Sequence, residues 1–283
     1  MHLRSTALRA ATLLRRNPRL FCRVMTAKLN TPRRVPPFPT VRRINSVLFE
    51  VGAPGSGAAQ SMCFGSYAPL VVDAMKRWLR PGDVFFDVGA NTGYLSAIAA
   101  GLVGTRGQVH AFEPVPQYFY QLKRLAELNQ SHAILANPCA AGEADATRTI
   151  YLTRKAGQNT LIRTYKNASE ITGTHETQVV RLDSYIENKG IDQVTLIKID
   201  VEGYEFHVLK GLERYLHRAS SRPPIICEIA PRAYPLIGSS LSDMAEYMKG
   251  FGYSAFDIAD GTSATDIRTL KHVDDVLFLP RTA

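Results

Sequence analysis

Apolar residues along this chain come in short blocks, most of them bounded by a glycine, a proline or an acid. Val84-Phe85-Phe86-Asp87-Val88 follows Pro81-Gly82-Asp83, and this β-branched and aromatic run predicts a buried strand over 84–88. Val109–Phe112, Ala133–Ala136, Thr195–Ile199, Pro224–Ile229, Tyr253–Ile258 and Val276–Leu279 read the same way. Between them apolar positions recur every three or four residues. That spacing predicts helices over Pro69–Leu79, Tyr94–Leu102, Pro116–Asn129, Tyr204–Leu216 and Ser242–Phe251. Strand and helix alternate, which implies a mainly parallel sheet with helices on both faces. Two regions break the rhythm. Val47–Val51 and Met62–Phe64 flank a Gly/Ser/Ala-rich stretch and read as a hairpin. Thr149–Thr153 and Gln178–Leu182 have β character and mark an insertion, whose polar stretch Asn167–Thr177 is expected to cover a site.

Ahead of residue 41 the pattern differs in kind. Wound as a helix, residues 1–30 set Arg4, Arg9, Arg15 and Arg16 opposite Leu3, Ala10, Leu13 and Leu14; Pro18 is expected to interrupt it. Pro32, Pro36, Pro37 and Pro39 then make a stiff linker. Residues 1–40 are read as a basic extension with a Pro-rich linker, and 41–283 as one domain. Within that domain a cofactor half lies at about 80–140, the β insertion at about 141–182 and an acceptor-side half at about 183–283.

Charge sharpens this division. The net charge is +9, yet eleven of the 34 Lys/Arg fall in residues 1–49, which hold no acid. The other 234 residues carry 23 basic against 25 acidic side chains, so no nucleic-acid-binding surface is expected on the body. The leader suits an anionic membrane surface, an organellar transit peptide or packing on its own domain. A cytoplasmic protein is the reading taken, with a leader that could touch a membrane surface or stay disordered, and organellar import is the alternative. No apolar run approaches the roughly 18 residues of a membrane span. Cys22, Cys63, Cys139 and Cys227 stand far apart, which argues against a zinc ribbon or disulfide framework.

The candidate chemistry begins where the 84–88 strand ends. Asp87-Val88-Gly89-Ala90-Asn91-Thr92-Gly93 joins it to a helix opened by Tyr94, and Glu113-Pro114 closes the next strand twenty residues on. A strand, a glycine turn, a helix and a strand-terminal acid describe half of a nucleotide site, the acid standing where ribose hydroxyls arrive. A dinucleotide wants a second glycine where Asn91 stands, because backbone must approach its pyrophosphate. S-adenosylmethionine has no phosphate; its ammonium and carboxylate suit Asp87 and the amides around Gly89, and its ribose suits Glu113. The loop favours S-adenosylmethionine.

A second group of acids belongs to the same rim of the sheet. Lys198-Ile199-Asp200-Val201-Glu202-Gly203-Tyr204-Glu205 ends one strand and opens a helix, and Glu228 sits near the end of the next strand. Asp200 and Glu202, with Glu228 beside them, are the candidate catalytic residues, able to orient an acceptor hydroxyl and take its proton. Glu205 reads as an acid favoured by the helix dipole, and Lys198 as a structural partner for one of the acids. Asp200 and Glu228 alone are a poor oxygen set for a divalent cation, and no metal is expected. His110 and His132 read as buried neighbours, and His207 and His217 as solvated. No histidine pair or G-x-S-x-G elbow points to a metallohydrolase or serine hydrolase.

With those strings on the page, the chain resembles the FkbM family of S-adenosylmethionine-dependent methyltransferases. The resemblance rests on Asp87–Tyr94, Phe112-Glu113-Pro114, Arg181-Leu182-Asp183-Ser184-Tyr185, Lys198–Glu205 and Val208–Gly211, and extends over about residues 60–280. It implies a class I methyltransferase fold: a Rossmann-like, doubly wound α/β sheet of seven mainly parallel strands, the last antiparallel. It also implies methylation of a hydroxyl on a sugar or a polyketide-type metabolite. Carried over by motif, Asp87, Gly89, Ala90, Asn91, Gly93, Tyr94, Glu113 and Pro114 would hold the cofactor. Asp200 and Glu202 would face a small-molecule or glycan acceptor, which Asn159, Thr160 and Tyr165 of the insertion could contact. Family members often carry Gly-x-Tyr-Glu where this chain has Gly65-Ser66-Tyr67-Ala68. A catalytically silent cofactor-binding module and a nucleic-acid methyltransferase that uses the leader are the competing readings. Oligomeric state has no signature in the sequence.

Overall fold

The structure is a computed structural model. It describes residues 67–155, 157–219 and 222–281, together with 40–44, 46–51, 61–62 and positions 11, 14, 15, 18, 21, 22 and 25. Those seven leader positions are all helical, Pro18 among them, so Pro18 itself does not stand outside helical conformation. The Pro-rich linker lies outside the described residues.

Strands β1 (Thr40–Ile44) and β2 (Val47–Val51) form an antiparallel hairpin so tight that Ile44 pairs with Val47. The expected partner of 47–51 was Met62–Phe64. β2 pairs with β1 instead; Ser61 and Met62 are helical, and Cys63 and Phe64 lie outside the described residues. The chain then runs α1 (Pro69–Trp78), β3 (Val84–Val88), α2 (Tyr94–Val103), β4 (Gln108–Phe112), α3 (Pro116–Leu128) and β5 (Ala133–Asn137). The insertion follows as β6 (Cys139–Ala141), β7 (Ala146–Thr153) and β8 (Ile171–Val180). After it come α4 (Leu182–Asn188), β9 (Leu196–Ile199), α5 (Glu205–Lys210), α6 (Glu213–Arg218), β10 (Ile225–Ile229), α7 (Leu241–Gly250), β11 (Tyr253–Asp257) and β12 (Asp274–Pro280).

Seven strands make the main sheet, in the order β11-β12-β10-β9-β3-β4-β5. Only β12 runs against the rest, pairing antiparallel with both β10 and β11. This is the class I methyltransferase arrangement. Strand side chains alternate between two cores. Phe85, Val109 and Leu196 point to the face covered by α2, α1 and the hairpin residues Val47 and Phe49. Phe86, Val88, Phe112, Ile197 and Ile199 point to the opposite face, against Leu182, Ile186, Phe206, Leu209, Met244 and Met248. Asn129 ties the hairpin to the body, accepting the Leu48 N–H at 2.7 Å and donating to the Leu48 carbonyl at 2.7 Å.

Two expected elements differ. The Tyr204–Leu216 helix is two short helices broken at Gly211, which lies against the backbone of Gly142; a Cβ there would stand 2.1 Å from the Gly142 oxygen. Leu182 opens α4 rather than ending a strand, and residues 171–177 belong to β8 of a separate three-stranded sheet ordered β6-β8-β7. The segment that reaches the site is the arm before them, 154–166.

Candidate functional site

Phe112, Val88, Ile199 and Cys227 lie in one register row across β4, β3, β9 and β10. The next residue on each strand is therefore Glu113, Gly89, Asp200 and Glu228. These four line the carboxyl rim, where the strand order reverses between β3 and β9 and an open α/β sheet binds its ligands. The register alone thus brings the residues that follow these four strand ends to the same edge.

Gly89 makes the junction possible. Its φ is +80°, and a Cβ would stand 1.8 Å from the Asp200 carbonyl oxygen, so the turn and the acidic strand tip meet only over a bare Cα. Gly93 (φ +83°) opens α2 at a point where a Cβ would press within 2.9 Å of Leu122 and Leu125. Between them Asn91 holds φ +52°, and its own Oδ1 accepts the Thr92 N–H at 2.8 Å. The Asn91 N–H donates to Glu113 Oε2 at 2.8 Å, and the Val115 N–H donates to Glu113 Oε1 at 2.8 Å. Glu113 is 5% exposed. Burial pushes its carboxyl up to about 7, against the pull of those two N–H groups. Each oxygen keeps a lone pair for a further donor, which is what a pair of hydroxyls requires.

The remaining cofactor candidates divide by depth. Pro114 is half-buried beside Glu113, and Ala90 is buried, its N–H bonded to the Phe112 carbonyl at 2.9 Å. Tyr94 is turned into the core, edge-on to Phe49 and Tyr67. Asp87 is fully buried; Ser96 donates to its Oδ2 at 2.6 Å, and Lys198 Nζ lies 3.6 Å from its Oδ1. Burial raises the Asp87 carboxyl despite Lys198 and Ser96. Asp87 is thus a support beneath the turn.

The three acids named for catalysis come together. One carboxylate oxygen each from Asp200, Glu202 and Glu228 lies within 4.8 Å of the other two. Two already have cations: Lys198 Nζ is 3.2 Å from Asp200 Oδ2, and Lys166 Nζ is 3.0 Å from Glu202 Oε2. Glu228 faces Asp275 across the β10–β12 pair. Burial, and then Asp200 and Asp275, push its carboxyl up, which favours its protonated form. The set has the size of an oxygen cage for a divalent cation, but its lysines already supply positive charge. Glu205 is not a surface acid. It is completely buried, and its Oε1 accepts the N–H groups of Val201 and Gly203 at 3.2 and 2.8 Å, fastening the turn that carries Glu202 at φ +54°. His207 is likewise not solvated: it stacks on Tyr204 and meets Glu143 at 3.0 Å.

The arm lies across this rim. Thr160 Oγ1 donates to the Glu202 carbonyl at 2.8 Å and accepts the Ile162 N–H at 3.1 Å. Asn159 Oδ1 accepts the Thr153 N–H at 2.8 Å. Both side-chain oxygens hold the arm, whereas Tyr165 stays half-buried, with the Lys166 ammonium 4.4 Å from its ring centre. At Gly157 the arm comes so near the turn that a Cβ would lie 3.1 Å from Asn91 Nδ2. Lys166 escaped the reading of the sequence, since nothing in its spacing links it to an acid 36 residues on. Asp275 escaped it too, although its place at the start of the last apolar run was a usable signal.

The family model described as the methyltransferase FkbM domain matches residues 87–255. The 31-O-demethyl-FK506 methyltransferase FkbM of Streptomyces tacrolimicus is 30% identical over 201 residues, 62% of this chain and 74% of that protein. The hexuronic acid methyltransferase AglP of Haloferax volcanii is 29% identical over 134 residues, 47% of this chain and 52% of its own length. The crystal structure of a methyltransferase FkbM from Methylobacillus flagellatus aligns at 17% identity with a TM-score of 0.44, covering 80% of this chain and 55% of that one.

Proposed function

The chain belongs to the FkbM methyltransferase family, and from that premise we propose that it is an O-methyltransferase acting on a hydroxyl of a carbohydrate or secondary metabolite. The contact between Gly89 and the Asp200 carbonyl carries the reading. It sets the cofactor turn and the acid that would serve the acceptor against each other, with no side chain between them.

S-adenosylmethionine fits the residues on the rim. Gly89 and Gly93 let the turn close on the Asp200 backbone and on Leu122 and Leu125, and Glu113 is fixed by two N–H groups with acceptor capacity to spare. Glu113, Gly89, Asn91 and Pro114 would hold the cofactor, with Asp87 and Ala90 beneath them. When bound, the cofactor supplies an electrophilic methyl on a sulfonium. Asp200 would accept the hydrogen bond of the acceptor hydroxyl and take its proton, while protonated Glu228 donates a hydrogen bond that fixes the acceptor. Glu202, held by Lys166, would join the arm to that side and help exclude water. Holding the acceptor oxygen in line with the methyl contributes up to roughly 7–11 kcal/mol.

Two relatives support the acceptor class by name, one a 31-O-demethyl-FK506 methyltransferase and the other a hexuronic acid methyltransferase. The hairpin packed on the body supports a single domain over 41–283. Among the described residues no helix is long and apolar enough to cross a membrane. The test is methyl transfer from labelled S-adenosylmethionine to a panel of glycans and polyketide-type alcohols. Asp200→Asn should slow turnover by about 100-fold or more, with cofactor affinity within roughly threefold. Loss of both together would make Asp200 a cofactor residue, and binding without transfer to any acceptor would favour the silent module.

A further inference from the structure

We infer that Lys198 is a positioning residue, one that aims the Asp200 carboxylate at the cofactor's methyl end and sets it from the cofactor turn itself. The inference rests on the proposed methyl transfer. β9 lies between β3 and β10 and is buried along its whole length, Leu196, Ile197 and Ile199 being fully so. An apolar side chain would be the ordinary occupant of position 198, yet a lysine stands there with its side chain 5% exposed. A buried ammonium is tolerated only where its hydrogens find acceptors. Lys198 has three partners: it donates to the Gly89 carbonyl at 3.2 Å and forms ion pairs with Asp200 Oδ2 at 3.2 Å and, more loosely, with Asp87 Oδ1 at 3.6 Å. Asp87 is its register partner across β3–β9.

Those three acceptors belong to different parts of the site. Asp87 is the floor of the turn, Gly89 is the turn, and Asp200 is the acid at the acceptor side. Of the two carboxylates, Asp87 is sealed and Asp200 is 34% exposed, so only Asp200 can present an oxygen to the site. The Asp200 main chain is already pinned against Gly89. Its side-chain rotation is what is left free, and the ammonium fixes it. Burial opposes charge on Lys198, but Asp200 and Asp87 outweigh it and raise its affinity for the proton. The Tyr67 phenol is pushed up to about 12 by burial and then by the nearby Asp200 charge.

A merely structural lysine would only neutralise Asp87, and the two roles separate in one comparison. Lys198→Met removes the ammonium; Asp87→Asn combined with Lys198→Met removes an ammonium and a carboxyl together and keeps the balance of buried charge. S-adenosylmethionine and S-adenosylhomocysteine are titrated calorimetrically into wild type and both variants, and S-adenosylmethionine labelled with ¹³C in the methyl group is observed when bound. In the double variant the melting temperature should return to within about 3 °C of wild type. The preference for the sulfonium over the thioether should nonetheless fall about tenfold, and the bound methyl resonance should move. If preference and resonance match wild type in the double variant, Lys198 merely balances Asp87 and the inference is overturned. If the double variant fails to fold, Lys198→Arg takes its place: the charge stays but its planar fork cannot meet the same three acceptors, so an unchanged preference overturns the inference equally. Wild type that binds no S-adenosylmethionine overturns the proposed function, and this inference with it; wild-type binding with unaltered variants overturns this inference alone.

Discussion

The backbone N–H of Asn91 donates to Glu113 at 2.8 Å, so the glycine turn of one strand is held shut by the terminal acid of the next. Glu113 therefore shapes the turn even as it offers lone pairs to a ligand. Glu113→Ala should weaken S-adenosylmethionine by roughly 10- to 100-fold, the size of a charge-assisted hydrogen bond, about 1.5–3 kcal/mol. Isothermal calorimetry reads it directly, and unchanged affinity would remove the ribose assignment.

The same carboxyl gives a pH dependence of opposite sign for the free and loaded protein. Burial raises Glu113 from 4.5 to about 7 and Glu205 from 4.5 to about 8. The stability these groups contribute is complete below about 4.5 and is lost as pH rises through 7 and 8. Cofactor binding asks for ionised Glu113, so affinity should rise across that window while the melting temperature of free protein loses these contributions. Thermal melts from pH 5 to 8.5, with and without S-adenosylmethionine, should diverge upwards; in Glu113→Gln the gap should stay flat.

Two glycines with positive φ should respond very differently to the same methyl group. Gly89→Ala drives a Cβ to 1.8 Å from the Asp200 carbonyl oxygen, and backbone must move. A cost of about 3 kcal/mol or more is expected, with loss of cofactor binding. At Gly190 nothing lies within 4 Å of an added Cβ. There the left-handed backbone alone costs about 1 kcal/mol. Equal melting temperatures would deny the contact.

Asp183 anchors the helices behind the site. Arg181 grips both its oxygens, at 3.0 and 2.7 Å, and Arg214 adds a bond at 3.0 Å. Burial opposes its charge, but the two guanidinium groups hold the carboxyl well below the usual range. Its stability contribution is present above about 3.9 and drains away as pH falls further. Asp183→Asn should lower the melting temperature at pH 7 and narrow its distance from wild type on acidification towards pH 2; a pH-independent gap would refute the pairing.

Lys166→Ala frees the arm from Glu202, a half-buried pair at 3.0 Å. Acceptor KM should rise by roughly 5- to 30-fold, while S-adenosylmethionine affinity holds. Chelation by EDTA should leave turnover unchanged, because lysines already compensate Asp200 and Glu202. A loss restored by Mg²⁺ would instead make the three carboxylates a metal site.

Much of this was legible because strands and turns advertise themselves locally. Val84–Val88 and Val109–Phe112 show β propensity and burial in one run, and the glycines of 89–93 need the positive φ they have. What stayed hidden was set by distant neighbours. Nothing near Glu205 says that its oxygen turns back to the N–H groups of Val201 and Gly203 instead of facing water. Gly211 breaks a helix because Gly142, 69 residues earlier, occupies the space. The grouping of Lys166, Glu202, Glu228 and Asp275 is likewise a product of topology, gathered from the arm, the turn after β9 and the paired strands β10 and β12.

The antiparallel strand has a further consequence, in the order of assembly. β12 is inserted between β10 and β11, so the sheet cannot reach β11 from β10 without it. During synthesis the strands from β3 to β10 can pair as they emerge, with the turn at Gly89 and the acid at Glu113 among the first parts in place. Glu228, by contrast, waits with one edge of its strand open until about residue 280 has left the ribosome. Of the acids on the rim, Glu113, Asp200 and Glu202 are thus all in the chain before the strand that brings Asp275 to Glu228.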